Sequence, residues 1–302
     1  MTKAINTDTA SVSGVSKSFN HNLVVDNISF KLRPGEIFGL IGPNGAGKTT
    51  TIRMMMDIIR PDSGEIFILG ESFNELAKNK IGYLPEERGL YRKLTVIDIL
   101  IYLASLKGIK QSTVSSRVEE LLTLVKMLPH KNKKIEELSR GMGQLIQFLV
   151  TIIHDPQLVI LDEPFAGLDP VNASLLKDII GKLREQNKTV ILSTHRMNEV
   201  EELCDRILMI NKGRSVLYGK LAEIKSRYRS NSIILVFDGQ LPKLDGVKSI
   251  HEHKNHVELF LKEGFSPDEI LAQIIKDKIR VYRFEVAAPS LNEIFIQVAG
   301  EI

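Results

Sequence analysis

The sequence has one cysteine, Cys204, so it cannot form an intramolecular disulfide, and a reducing compartment is its natural setting. Cys204 itself reads as a buried helix residue with no redox role. Long apolar runs are missing too. The most apolar stretch, from Leu145 to Leu161, is cut by His154-Asp155-Pro156-Gln157. It therefore falls short of the roughly 18 to 20 apolar residues that a membrane-spanning helix needs. The stretch from Thr2 to Ser18 is polar and lacks the apolar centre of a signal peptide, so the chain is expected to stay inside the cell. With Gly at 21 and Pro at 11, the composition is not that of a fibrous or low-complexity chain. No large excess of charge of one sign exists either. Against 40 basic side chains stand 37 acidic ones, and the resulting +3 gives no strong electrostatic claim on nucleic acid.

What is present is a chain of 302 residues, long enough for one sizeable core and a smaller second module. Asn27-Ile-Ser-Phe-Lys-Leu reads as an alternating strand, and Arg33-Pro34-Gly35 as a turn. Glu36 to Ile41 reads as a buried strand running into a glycine-rich loop. A helix is expected from Thr49 to Ile59, with Met54, Met55 and Met56 filling core. Glu65 to Gly70 and Lys80 to Leu84 are short strands, and a continuously helical pattern is expected from Thr95 to Leu128. Leu158 to Asp162 and Thr189 to Ser193 are apolar runs of the kind found in buried parallel sheets, with helix from Asn172 to Gln186 between them. Beyond about Gly219 the texture changes. Strands at Ile233 to Phe237, Val257 to Leu261 and Val281 to Val286, with helices at Ser266 to Lys276 and Ser290 to Val298, make a small α+β module.

Gly42-Pro43-Asn44-Gly45-Ala46-Gly47-Lys48-Thr49 fits G-x-x-x-x-G-K-[ST] between a strand and a helix. The glycines let backbone N–H groups turn inward around phosphate oxygens, and the helix adds the positive end of its dipole. Lys48 is expected to reach the β- and γ-phosphates, the Thr49 hydroxyl to ligate Mg²⁺, and the segment through Thr50 to hold the nucleotide. Val159-Ile160-Leu161-Asp162-Glu163 ends a buried strand on two carboxylates. Asp162 suits Mg²⁺, directly or through water, and Glu163 suits the attacking water; a solvated turn with two acids is the other reading. His195, at the end of Ser193-Thr194-His195, is placed on the same sheet edge, where its imidazole could donate to the γ-phosphate or serve a structural role.

These motifs, with Leu138-Ser139-Arg140-Gly141-Met142-Gly143-Gln144 shortly before the carboxylate strand, resemble the ATP-binding-cassette (ABC) transporter ATPases over roughly Val12 to Gly219. The resemblance implies a P-loop NTPase cassette over residues 1–220, with a parallel-sheet core, an antiparallel β part and a helical subdomain at about 87–145. A small α+β domain follows over 221–302. It also implies ATP and Mg²⁺ as ligands, a second ATP-binding subunit as a head-to-tail partner, and a transmembrane permease beside which the chain sits on the cytoplasmic face of the cell membrane. No nucleic-acid partner is implied. In such a dimer Ser139 and Gly141 would face the nucleotide of the other subunit, Asp169 of Ala166-Gly167-Leu168-Asp169 would contact across the dimer, and Phe19 would stack on adenine.

Two departures from the family pattern stand out. Arg140 and Met142 replace a glycine and a glutamine, and Met142 lacks an amide's hydrogen bonds. Glu86, in Ile81-Gly82-Tyr83-Leu84-Pro85-Glu86, stands where the family usually has glutamine, and its carboxylate is a further candidate for Mg²⁺. The run from Glu86 to Tyr91 and Leu-Ser-Arg-Gly-Met look like the branch of bacterial and archaeal two-component exporters of sodium or drugs. A soluble ABC ATPase acting on ribosomes or nucleic acid is the alternative; such proteins usually carry two cassettes or a long coiled-coil insertion, and neither is visible. His251, His253 and His256 read as a solvated strand and turn rather than a metal site. Lys131-Asn132-Lys133-Lys134 reads as a solvated basic face.

Overall fold

The computed structural model describes residues 8–72, 75–87, 89–228, 232–239, 241–277, 279–287 and 289–300; Arg88, within the Glu86 to Tyr91 segment, lies outside them. The chain divides into two compact units, Met1–Leu221 and Ala222–Ile302. In chain order, the first contains β1 (Ala10–Phe19), β2 (Asn22–Leu32), β3 (Ile37–Ile41), α1 (Lys48–Met55), β4 (Ser63–Ile68), β5 (Glu71–Ser72), α2 (Glu75–Lys78) and β6 (Ile81–Leu84). There follow α3 (Val96–Leu106), α4 (Gln111–Leu124), α5 (Arg140–Ile152), β7 (Leu158–Asp162), α6 (Pro170–Glu185), β8 (Thr189–Thr194), α7 (Met197–Leu203), β9 (Arg206–Asn211) and β10 (Arg214–Lys220). After α8 (Leu221–Arg227) the second unit is built from β11 (Ser232–Asp238), β12 (Val247–Glu252), β13 (Val257–Leu261), α9 (Pro267–Lys276), β14 (Arg280–Val286) and α10 (Leu291–Gly300).

The central sheet of the first unit has the order β10-β9-β3-β8-β7-β6. Its members from β9 to β6 pair in parallel, and β10 joins antiparallel. Every residue of β3, β7 and β8 is buried, which is why these strands read as unbroken apolar runs rather than alternating ones. A second, antiparallel sheet has the order β2-β1-β4-β5. One core joins the two sheets and α1: Phe38, Leu40, Ile160 and Ile191 meet Val12, Ile28, Phe30, Ile52 and Met55. Each such side chain contributes about 1.5–3 kcal/mol relative to exposure. The rings of Phe30 and Phe38 stack across the join with centroids 5.3 Å apart. Helix α3 packs on α4 and α5 as a helical part. The parallel core, antiparallel sheet and helical part follow the layout that the sequence implied. In the second unit an antiparallel sheet, β12-β13-β11-β14, buries Ile233, Leu235, Leu259 and Leu261 with Ile270 and Ile274 of α9.

Several elements differ from the sequence expectation. Helix α1 ends at Met55, not Ile59, because Asp57 takes a left-handed φ of 52° and the Ile58 N–H donates to the Arg53 carbonyl at 3.0 Å. This is a Schellman stop, in which the carbonyls of Arg53 and Met54 find donors past the helix end. The expected helical run from Thr95 to Leu128 is two helices, broken at Gly108, whose φ is 80°. Cys204 is buried as expected but sits just past α7, at its C-cap. The serine-rich β1, the polar-ended β10 and the largely exposed β12 have no clear strand pattern of their own. Pairing with neighbours makes them strands.

The link from α1 to β4 is tied by Asp62, whose carboxylate accepts from Lys17 Nζ at 2.5 Å and from the Ser18 N–H at 2.7 Å. The Lys17 hydrogen bond first, and the Ser18 N–H second, hold this carboxyl below the usual carboxylate range. A carboxyl depressed in the fold stabilises it above the unfolded pKa, and the contribution is lost as pH falls through the folded value. Asp62→Asn is therefore expected to lower the urea midpoint at pH 7. The gap to wild type should shrink as pH drops below about 4; urea titrations across that range check it.

Candidate nucleotide-binding site

The site lies where β3, β7 and β8 end. The loop leaving β3 into α1 can curl only because its glycines take conformations closed to other residues. Gly42 has φ 149°, and a Cβ there would lie 2.1 Å from the Ile210 carbonyl oxygen. Gly47 has φ 107°, with a Cβ position 2.8 Å from the Val24 carbonyl. Lys48 is folded back along this loop, its Nζ donating to the carbonyls of Gly42 at 2.8 Å and Pro43 at 3.1 Å. Burial pulls the Lys48 ammonium below its ordinary pKa, opposed by the carboxylates of Glu163, Asp162 and Glu86. Ala46 is buried, its N–H on the Pro43 carbonyl at 3.2 Å and its carbonyl accepting from the Gly213 N–H at 3.1 Å, so β9 and β10 buttress the loop.

Asp162, the last residue of β7, is 1% exposed. Its Oδ2 accepts from the Thr49 hydroxyl at 2.9 Å and its Oδ1 from the Ser193 hydroxyl at 2.7 Å. Burial raises the Asp162 carboxyl, opposed by the Ser193 and Thr49 hydrogen bonds. Glu163 follows with a left-handed φ of 48°, a backbone strain that non-glycine residues carry at functional turns. Its N–H donates to the Ser193 carbonyl at 2.9 Å. Its Oε1 accepts from the His195 N–H at 3.1 Å and lies 2.7 Å from His195 Nδ1, while its Oε2 accepts from the Thr194 hydroxyl at 3.2 Å.

Together Asn44, Gly45, Gly47, Lys48, Thr49, Thr50, Glu86, Asp162 and Glu163 line a cavity of about 450 Å³. Val24, which no sequence motif singles out, lines it as well. The donor set fits a Mg²⁺-bound triphosphate. Glycines of the loop and the Lys48 ammonium line one side, and a hydroxyl touching a buried carboxylate supplies the hard oxygens that Mg²⁺ takes. Among the described residues, His195 joins this constellation through Glu163. Phe19, at the end of β1, is 43% exposed, with Lys17 Nζ 5.7 Å above its ring.

Ser139 and Gly141 stand apart from the cavity. Ser139 caps α5, its Oγ accepting from the Met142 N–H at 3.2 Å, and Gly141 packs against Gly167 and Leu168. Asp169 caps α6, its Oδ1 accepting from the N–H groups of Val171 and Asn172 at 3.0 Å each. These bonds, the Asn172 N–H first, hold the Asp169 carboxyl below the usual range. Sequence reasoning missed Ser193 and Thr194 as site residues, although the triplet Ser193-Thr194-His195 was visible. It also missed Gln144, whose buried amide donates to the Pro164 carbonyl at 3.1 Å and ties α5 to the turn after Glu163.

A phosphate loop between strand and helix, with a buried acidic strand end beside its Lys and Thr, defines a P-loop nucleoside triphosphatase. Residues 25–166 match the ABC transporter family, and residues 219–299 match the C-terminal domain of DrrA1-3-like ATP-binding proteins. The uncharacterized ABC transporter ATP-binding protein YhaQ of Bacillus subtilis (strain 168) is 40% identical over 95% of this chain and 97% of its own length. The linearmycin resistance ATP-binding protein LnrL of the same organism is 33% identical over 95% of this chain and 96% of its own length. A solved ATP-binding subunit of an ABC transporter superposes with a TM-score of 0.68 at 28% identity, covering 73% of this chain and 93% of its own. The chain belongs to the ATP-binding proteins of ABC transporters, with a DrrA-like C-terminal domain. As a member it binds and hydrolyses ATP.

The loop geometry makes a contrast between two glycines. Gly42→Ala is expected to destabilise the protein by more than about 1 kcal/mol, because the methyl meets backbone at a strained φ, and to weaken ATP binding. Gly181→Ala, inside α6 where a Cβ meets nothing within 4 Å, is expected to be neutral or to stabilise by up to about 1 kcal/mol. Thermal melts and nucleotide titrations of both variants check this.

Proposed function

We propose that this chain is the energising subunit of an exporter, acting beside a separate transmembrane permease on the cytoplasmic face of the cell membrane, with sodium ions or drug-like molecules as cargo. The observation carrying the reading is the constellation of Lys48, Thr49, Asp162 and Glu163 around one cavity, on a chain aligned over nearly its full length with a drug-resistance ATP-binding protein. Among the described residues no helix is long and apolar enough to cross a membrane, so the cargo path in this reading belongs to the permease. A second copy of the chain would complete the site, with Ser139 and Gly141 facing its nucleotide, Asp169 contacting across the dimer and Phe19 stacking on adenine.

In the proposed reaction the loop N–H groups from Gly42 to Thr50 and the Lys48 ammonium hold the β- and γ-phosphates. The Thr49 hydroxyl and the Asp162 carboxylate, with Glu86 at the rim, would hold Mg²⁺. When bound, Mg²⁺ neutralises charge on the phosphates. Ser193 keeps Asp162 aimed by donating to the oxygen that Thr49 leaves free. Glu163 orients the attacking water and takes its proton. His195 holds Glu163 through two contacts to one oxygen, and its other ring nitrogen is free to reach the γ-phosphate.

Glu163→Gln is expected to lower kcat for ATP by about 10²-fold or more while ATP stays bound, and Lys48→Ala to lose nucleotide binding. Steady-state turnover and nucleotide titration test both, and normal turnover by Glu163→Gln would sink the catalytic assignment. For the partner, tagged Glu163→Gln protein loaded with ATP and Mg²⁺ is expected to recover one multi-span membrane protein from solubilised membranes. Recovery of ribosomes or nucleic acid instead would overturn the exporter reading.

A further inference from the structure

Glu163 is held on its second side by a buried group to which the family resemblance assigns no role. Thr194, wholly buried at the end of β8, places its hydroxyl between two carboxylates, 3.2 Å from Glu163 Oε2 and 3.4 Å from Glu199 Oε2. The hydroxyl oxygen accepts the Arg196 backbone N–H at 3.1 Å. A threonine hydroxyl has a single proton, so it can serve only one of the two carboxylates at a time. Glu199, on α7, is 5% exposed, and its other oxygen accepts from Arg196 Nη1 at 3.1 Å. The charged groups that act on Glu199 are Arg196, Lys177 and Glu163. Burial pushes its carboxyl up, and the Glu163 charge adds to that, while Arg196 and Lys177 oppose it.

We propose that Thr194 and Glu199 are positioning residues for Glu163: the Thr194 hydroxyl donates to Glu163 in the arrangement seen here and to Glu199 when Glu163 turns toward the attacking water. The proposal rests on the reading of Glu163 as the group that handles that water. The physical reason is the cost of a stranded donor. If Glu163 swung away with no other acceptor nearby, the buried Thr194 O–H would be left unpaired, a penalty worth about tenfold or more in rate. Glu199, anchored by Arg196, replaces one charge-assisted hydrogen bond with another, so the release of Glu163 Oε2 from Thr194 costs little, while the His195 contacts to Oε1 are a separate hold. Nothing need be transferred covalently; the Glu163 side chain turns and the Thr194 hydroxyl rotates.

Glu199→Gln tests this directly. Arg196 Nη1 is a donor, so the amide oxygen of the new side chain takes the position facing Arg196 and its NH₂ faces Thr194, where it cannot accept. In the full-length protein, Glu199→Gln is expected to lower kcat for ATP about tenfold with KM unchanged within about twofold. Thr194→Val should lower kcat several-fold, and Thr194→Ser, which keeps the hydroxyl, should restore it. The deciding measurement is the double variant: Glu199→Gln should cost nothing further in the Thr194→Val background, since no O–H is then stranded. A merely structural role for Glu199 would give losses that multiply. Unchanged kcat in Glu199→Gln, a loss expressed only in KM, or multiplying losses would each overturn the positioning proposal. Glu163→Gln run alongside separates the two levels. If it turns over normally, the reading of Glu163 falls; if it is slow while Glu199→Gln is normal, only the positioning proposal falls. Should Glu199→Gln melt early, the comparison of Thr194→Val with Thr194→Ser decides in its place, equal kcat in the two counting against the proposal.

Discussion

The buried carboxylate of Asp162 is the constraint on which the site depends. An acidic group that is 1% exposed cannot be left without donors, and the fold supplies one from each neighbouring piece of chain: Thr49 from the start of α1 and Ser193 from the end of β8. Meeting that demand brings the phosphate loop, the acidic strand end and the β8 terminus into contact at one point. The parallel order β3-β8-β7 makes this possible, because parallel neighbours end on the same edge of the sheet. Were β8 antiparallel, Ser193, Thr194 and His195 would lie at the far edge.

A second layer of constraint comes from packing charge into this edge. Asp162, Glu163 and Glu199 are carboxylates within a short reach, set against Lys48, Arg196 and the N–H groups of the loop. The partners of Glu163 are fixed in position by backbone: Thr194 and His195 are consecutive residues, and the Glu163 N–H is itself tied to the Ser193 carbonyl. The left-handed backbone at Glu163 is held in place by this same set of bonds. Stability is given up locally so that the side chain emerges at the correct edge.

The two glycine-bearing segments show how the fold restricts substitution differently at nearby positions. Around the phosphate loop, added atoms collide with the backbone of β9 and with the Val24 carbonyl. At Gly167 the obstacle is the Arg140 side chain, 2.6 Å from the position a Cβ would take. Arg140, one of the residues that departs from the family's signature, thus lies over the segment preceding Asp169, a contact its replacement by glycine would remove.

Much of the fold and site could be read from residue order alone. The apolar runs of β3, β7 and β8 are legible because a strand buried on both faces must be apolar throughout, and the Gly-Lys-Thr loop is legible because only glycine permits its backbone path. Local chemistry therefore determined the class of fold, the phosphate loop, and Asp162 and Glu163 as the acidic pair. Tertiary structure alone decided what depends on residues distant in sequence. The strand status of β1 and β12 comes from their neighbours, and the meeting of Thr49, Asp162, Ser193, Thr194 and Glu199 from strand order. A serine or threonine in a sequence carries no mark of which carboxylate it will face, because a hydroxyl's partner is set by where the chain returns, and that is a property of the fold.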